Sequence, residues 1–158
     1  MYKKINLDDE ELLFTQQHQS LFQKPNAVLL DTDTKARQYI ANTFNHTQKP
    51  SVHGIMLTTT QHLIETKTLL AEPFSLKAIT PRLILNHVIQ ANATRLILVV
   101  CHPASEFTAR DQQSVKVSHL RQALFDYSLW LDDVFVITQG KEGERERTIT
   151  SLTGLGFV

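Results

Sequence analysis

Apolar and polar positions alternate along this chain with two different periods, and the changes of period divide it into elements. Residues 95–101 form a nearly continuous apolar run ending in Val99, Val100 and Cys101, as expected of a central strand covered on both faces. Residues 52–57 and 62–70 read as two strands of a hairpin around Thr58, Thr59, Thr60 and Gln61, although alternation in the second is imperfect. Residues 133–138 predict a further strand. Residues 144–150 alternate charge with apolar or Thr positions and predict a strand at a sheet edge.

Helical spacing fills the intervals. Ala36, Tyr39, Ile40 and Phe44 share one face of a helix over 35–44, with Thr32, Asp33 and Thr34 able to cap it. Thr80 and Pro81 open another helix, because a proline at the first position loses no hydrogen bond. Its expected buried face is Leu83, Ile84, His87, Val88 and Ala91. Thr108 starts a long helix reaching about residue 129, with Val117, Leu120, Leu124 and Tyr127 in register and Trp130 expected in the core. Residues 8–22 predict an N-terminal helix whose first turn is crowded with Asp8, Asp9, Glu10 and Glu11, where the helix dipole favours acids. Its apolar stripe, with Phe14 and Leu21 seven apart, is narrow, so it reads as a packed surface helix or a docking appendage. The division is an N-terminal helical extension, 1–27, and one domain, 28–158. Strands interleaved with helices, one pair of them a hairpin, indicate an α/β chain: an α+β mixed sheet flanked by helices.

Composition narrows the function. Lys plus Arg and Asp plus Glu both total 16, so the net charge is zero. A general nucleic-acid binder draws most of its affinity from phosphate contacts and usually shows a basic excess, so nucleic acid is not the expected partner. The single cysteine, Cys101, excludes an intrachain disulfide and gives no sign of an oxidising compartment. The N-terminus lacks the apolar core of a signal peptide, and no apolar run is long enough for a membrane span. The expected location is the cytoplasm.

The chemistry-bearing stretch starts where the apolar run stops: Val100, Cys101, His102, Pro103, Ala104, Ser105, Glu106, Phe107, Thr108, Ala109, Arg110, Asp111. It resembles the signature of RadC-type members of the JAB/MPN metallopeptidase-fold family. In that signature a buried strand ends in His-x-His-Pro-Ser-Gly and a loop leads to Ser-x-x-Asp on a helix. The likeness extends both ways. Ala78 to Arg82 and Ile89 to Ala93 resemble the family's His-Pro-Arg helix and its Asn-Ala turn. Leu131, Asp132, Asp133 and Val134 resemble its Leu-Asp-His strand, and Ser151 to Phe157 its C-terminal motif. One register covers about residues 28–158, with a short deletion in the loop after His102. The resemblance implies a JAB/MPN, cytidine-deaminase-like architecture.

It also implies a site. In the family two histidines one residue apart and an aspartate hold zinc, leaving a position for water. A glutamate acts as base on that water, and a hydroxyl supports the oxyanion. Carried over, the second histidine is His102, the aspartate Asp111 and the hydroxyl Thr108. The first histidine falls on Val100 and the glutamate on Pro50, neither of which can serve, and the histidine of Leu-Asp-His becomes Asp133. His53, Cys101 and Glu106 are the residues from which a site can be rebuilt, although Cys101 and His102 are adjacent on a strand and point to opposite faces. Each residue also has a plain structural reading. Thr108 and Asp111 form a capping-box pattern, His102 and Pro103 terminate a strand, and Cys101 is a small core residue.

The expectation is therefore a RadC-like domain that has lost peptidase chemistry and acts in binding or assembly, with no cofactor, or with zinc if the site is rebuilt. Two alternatives stand beside it: an active metallopeptidase with relocated ligands, and a DNA-repair-associated role implied by the resemblance alone. By the same resemblance a protein partner or homodimer is expected, with helix 8–22 as a candidate contact.

Overall fold

The computed structural model describes residues 28–45, 49–102, 108–139 and 147–153. Its strands are β1 (Ser51–Leu57), β2 (Leu63–Ala71), β3 (Arg95–His102), β4 (Trp130–Thr138) and β5 (Thr148–Ser151). They form one sheet in the order β2-β1-β3-β4-β5. The long apolar run is β3, the middle strand, antiparallel to β1 and parallel to β4. The flanking pairs β1–β2 and β4–β5 are antiparallel. The sheet is thus mixed, as the element order predicts.

A strand buried on both faces needs an apolar residue at every position, because its side chains alternate between two cores. Leu96, Leu98 and Val100 enter one core with Val52, Met56, Val134 and Val136. Helices α2 (Pro81–Ala91), α3 (Ala109–Val115) and α4 (Val117–Phe125) close that face through Ile84, Val88, Val115, Leu120 and Leu124. Ile97, Val99 and Cys101 enter the other core with Ile55, Leu57, Phe135 and Ile137. There α1 (Asp33–Thr43) covers the sheet with Ala36 and Ile40, joined by Phe44 just beyond its end. Among the described residues no helix is long and apolar enough to cross a membrane.

Local chemistry sets the helix ends. The Thr32 hydroxyl accepts from the Lys35 amide and the Thr80 hydroxyl from the Leu83 amide, as N-caps do. Pro81 occupies the first turn of α2, and Asn92 ends that helix in the left-handed region, which Asn tolerates well.

Four expectations need correction, and two lie outside the described residues. The helix predicted over 108–129 is two helices, broken at Lys116 with φ 52°. The reason is packing. Val115 and Val117 are both buried in the same core. Two residues apart on one straight helix they would point about 200° apart, so a left-handed residue between them turns both inward. The second helix stops at Phe125, which leaves Tyr127 exposed rather than in the core. Trp130 is also half-exposed, because it sits at the first position of β4.

β4 begins before residue 133 and contains a bulge. Leu96 pairs with Leu131 and Ile97 with Asp133, so Asp132 is an extra residue. Arg95 donates to the Asp132 carboxylate and Gln61 donates to its other oxygen, while Arg121 donates to the Leu131 and Asp132 carbonyls. The helix predicted over 8–22, and the part of the predicted edge strand at 144–146, lie outside the described residues.

Lys116→Gly tests the break by its sign. At a left-handed position glycine relieves a strain of about 1–2 kcal/mol, so the variant should be more stable, by up to about 1 kcal/mol after the entropy lost to a freer unfolded chain. Denaturant titration reads this. A loss of about 1 kcal/mol, the cost of glycine inside a continuous helix, would contradict the break.

Candidate metal centre

The residues singled out by sequence occupy the ends of two neighbouring elements. His102 is the last residue of β3 and Asp111 lies in the first turn of α3. Val100 and His102 share a strand parity, so both belong to the face covered by α2, α3 and α4. Continuing the antiparallel β1–β3 register by one residue sets Pro50 opposite His102. The chain thus brings the four positions Pro50, Val100, His102 and Asp111 to one end of one sheet face.

The geometry at that end is as follows. His102 Nε2 lies 3.8 Å from Asp111 Oδ2, with both side chains partly exposed. The same Asp111 oxygen accepts from the Thr108 amide at 2.9 Å, and the Thr108 hydroxyl accepts from the Asp111 amide at 3.1 Å. This is a reciprocal capping box, which satisfies two main-chain donors at the start of α3. Val100 is buried, 1% exposed, and adds only methyl groups to the core. Among the described residues no three His, Cys, Asp or Glu side chains are grouped to hold a metal ion. Glu106 lies outside the described residues.

His53 and Cys101 are placed on the opposite face. His53 pairs across from Val99, and its ring lies 4.5 Å from the Phe44 ring in the core under α1. Cys101 lies in that same core. The sheet separates both from His102, so neither can share an ion with it. They belong to a small polar network of their own. His53 Nε2 shares a hydrogen bond with Ser51 Oγ at 2.8 Å, and its Nδ1 shares one with Thr68 Oγ1 at 3.1 Å. Ser51 also lies opposite Cys101 across the β1–β3 pair. Burial lowers the His53 imidazole from its ordinary value. Burial raises the Cys101 thiol, against smaller opposing effects of the Ser51 hydrogen bond and the Arg147 charge. A buried thiol held protonated is a poor nucleophile.

A family model described as a RadC-like JAB domain matches residues 30–151, more than three quarters of the chain. The chain belongs to the RadC-like JAB family. No curated protein matches it. The mixed five-stranded sheet with its flanking helices accords with a JAB/MPN domain.

Two features of this JAB domain are not predicted by its sequence pattern. Asp133 accepts from the Ser151 and Thr153 hydroxyls at 2.8–2.9 Å and so ties the end of β5 to β4. A Ser-x-Thr pair downstream of a strand acid is too common a pattern to signal this. The second is a surface pocket bounded by Phe125 and Trp130, hidden because Trp130 reads as a core residue.

Two measurements probe this end of the JAB domain. Thr108→Ala removes the cap and should lower stability by about 1 kcal/mol in metal-free buffer, since the capping box needs no ion. An effect seen only with zinc present would contradict that. The second concerns His53, whose folded form resists protonation. Its contribution should be fully present above its ordinary value near 6.5 and lost as pH falls through that value toward the lowered one. Thermal melts of wild type and His53→Gln at pH 8 and pH 5 should show the smaller acid loss in the variant; equal losses would exclude His53 as a source.

Proposed function

We propose that this RadC-like JAB domain no longer hydrolyses peptides and serves as a binding or assembly module for a protein partner. The observation that supports this reading best is Val100. It lies on the same sheet face as His102, at the position where the family places its first histidine, and it is packed into the core. A catalytic zinc needs three protein ligands and an open position, and His102 with Asp111 supplies two. The Asp111 oxygen nearest His102 is already accepting from the Thr108 amide. Pro50 stands where the family has its glutamate and has no group that can take a proton, and loss of a general base costs roughly a hundredfold or more in rate. A protein partner fits better than nucleic acid, because equal numbers of acidic and basic residues give no net attraction to phosphate.

One observation favours a second reading. The 3.8 Å approach of His102 to Asp111 keeps two family ligands together. An active metallopeptidase with a relocated third ligand would draw it from outside the described residues, with Glu106 the candidate by its place in the shortened loop.

Elemental analysis of protein purified without chelator or metal-affinity tag separates the two. The expected result is substoichiometric zinc that does not change in His102→Ala, with no cleavage of peptide or isopeptide substrates. One zinc per chain, lost in His102→Ala and accompanied by hydrolysis, would overturn the proposal.

A further inference from the structure

The pocket beside Trp130 lies where β3 and β4 begin, at the opposite end of β3 from His102. Its volume of about 580 Å³ falls in the roughly 300–1,000 Å³ range of small-molecule sites. One stripe of α4 forms a wall, with Ser118, Arg121, Gln122 and Phe125 at helical spacing. The start of β4 forms another, with Trp130 and Asp132. Phe125 and Trp130 are half-exposed, at 53% and 50%, and their rings meet edge-to-face at 4.9 Å. A further planar ring can extend such a pair by offset or edge contact.

Two rings alone would also suit a cation, which is drawn to aromatic faces. The charges around them decide against it. The Arg95 guanidinium already lies 5.6 Å from the Trp130 ring centre. Asp132, the acid of the pocket wall, is matched by Arg95 at 2.6 Å. Arg121 is not matched. Its Nε donates to the Leu131 carbonyl at 3.1 Å and its Nη2 to the Asp132 carbonyl at 3.2 Å, and among the described residues it has no carboxylate partner. The pocket wall therefore carries an unopposed positive charge.

Arg121 also has the geometry for an anion. Its two main-chain bonds anchor it, so binding costs little side-chain freedom. They use two of the five N–H groups of a guanidinium, and the rest of the planar fork matches a carboxylate. The Ser118 hydroxyl and the Gln122 amide add neutral donors next to it on α4.

We propose that this pocket binds a small planar aromatic acid, its ring against Phe125 and Trp130 and its carboxylate on Arg121. The site is separate from the His102 end of the sheet and does not depend on whether that end holds a metal.

Trp130 is the single tryptophan of the chain, so its indole N–H gives one side-chain signal in the NMR spectrum of the nitrogen-labelled full chain. The probes are naphthoate, its uncharged amide and the naphthylmethylammonium cation. Naphthoate should shift the Trp130 signal saturably. The amide should bind about tenfold more weakly, the scale of one charge-assisted hydrogen bond. Arg121→Gln should abolish the preference for acid over amide. Phe125→Ala, at an exposed side chain, should weaken acid and amide alike. Absence of a saturable shift with naphthoate, equal binding of acid and amide, or tightest binding of the cation would overturn the proposal. These comparisons use the wild-type chain and stand whether or not Arg121→Gln folds. A peptide ending in phenylalanine that binds more tightly than naphthoate would place the acid on a protein partner and overturn the small-molecule assignment.

Discussion

Everything in this domain is referred to β3. It is hydrogen-bonded on both sides, and its side chains from Leu96 to Cys101 are buried. Successive side chains of a strand must leave opposite faces, so each residue of this run is committed to one core or the other by its number alone. That commitment puts Val100 and His102 under α2, α3 and α4, and Cys101 with its neighbour His53 under α1. The sheet lies between them, so three donor-bearing residues close in sequence and register are divided between two faces.

Much of this was legible because it depends on local chemistry. The apolar run, the hairpin around Thr58 to Gln61, the proline-led α2 and the caps Thr32, Thr80 and Thr108 follow from side-chain types and spacing. What was not legible depends on partners distant in sequence. Helical periodicity carried the prediction straight through Lys116, because the demand that Val115 and Val117 enter one core arises only once the sheet is in place. Size and apolarity put Tyr127 and Trp130 inside, whereas the turn after α4 and the end position on β4 leave them out. At the candidate centre the capping box was readable from Thr108 and Asp111. The face occupied by His53 was not, since it follows from pairing with Val99 across two strands.

Asp111 shows how one residue can serve two descriptions. Its carboxylate sits close to His102, as a remnant of a ligand pair would, and also closes the first turn of α3, as a helix cap would. Capping is an interaction within one helix and survives the loss of any ion. A protein that abandons a metal therefore need not abandon the aspartate, and the persistence of this residue in the chain is weak testimony for metal chemistry. The same holds for Thr108, whose hydroxyl is engaged with the Asp111 amide.

The extra residue at Asp132 has a consequence for which changes of length the gene can accept. Between Leu131 and Val134 the bulge shifts the phase of β4, so that both reach the core under α4 despite an odd separation. Removing one codon there would leave the remaining strand half a period out of step, turning Phe135 and Ile137 toward the wrong layer or pulling Leu131 out of its own. Removing residues from the connection after His102 changes no phase, because that strand has already ended. Insertions and deletions in this lineage should therefore collect after His102 and be purged at the start of β4.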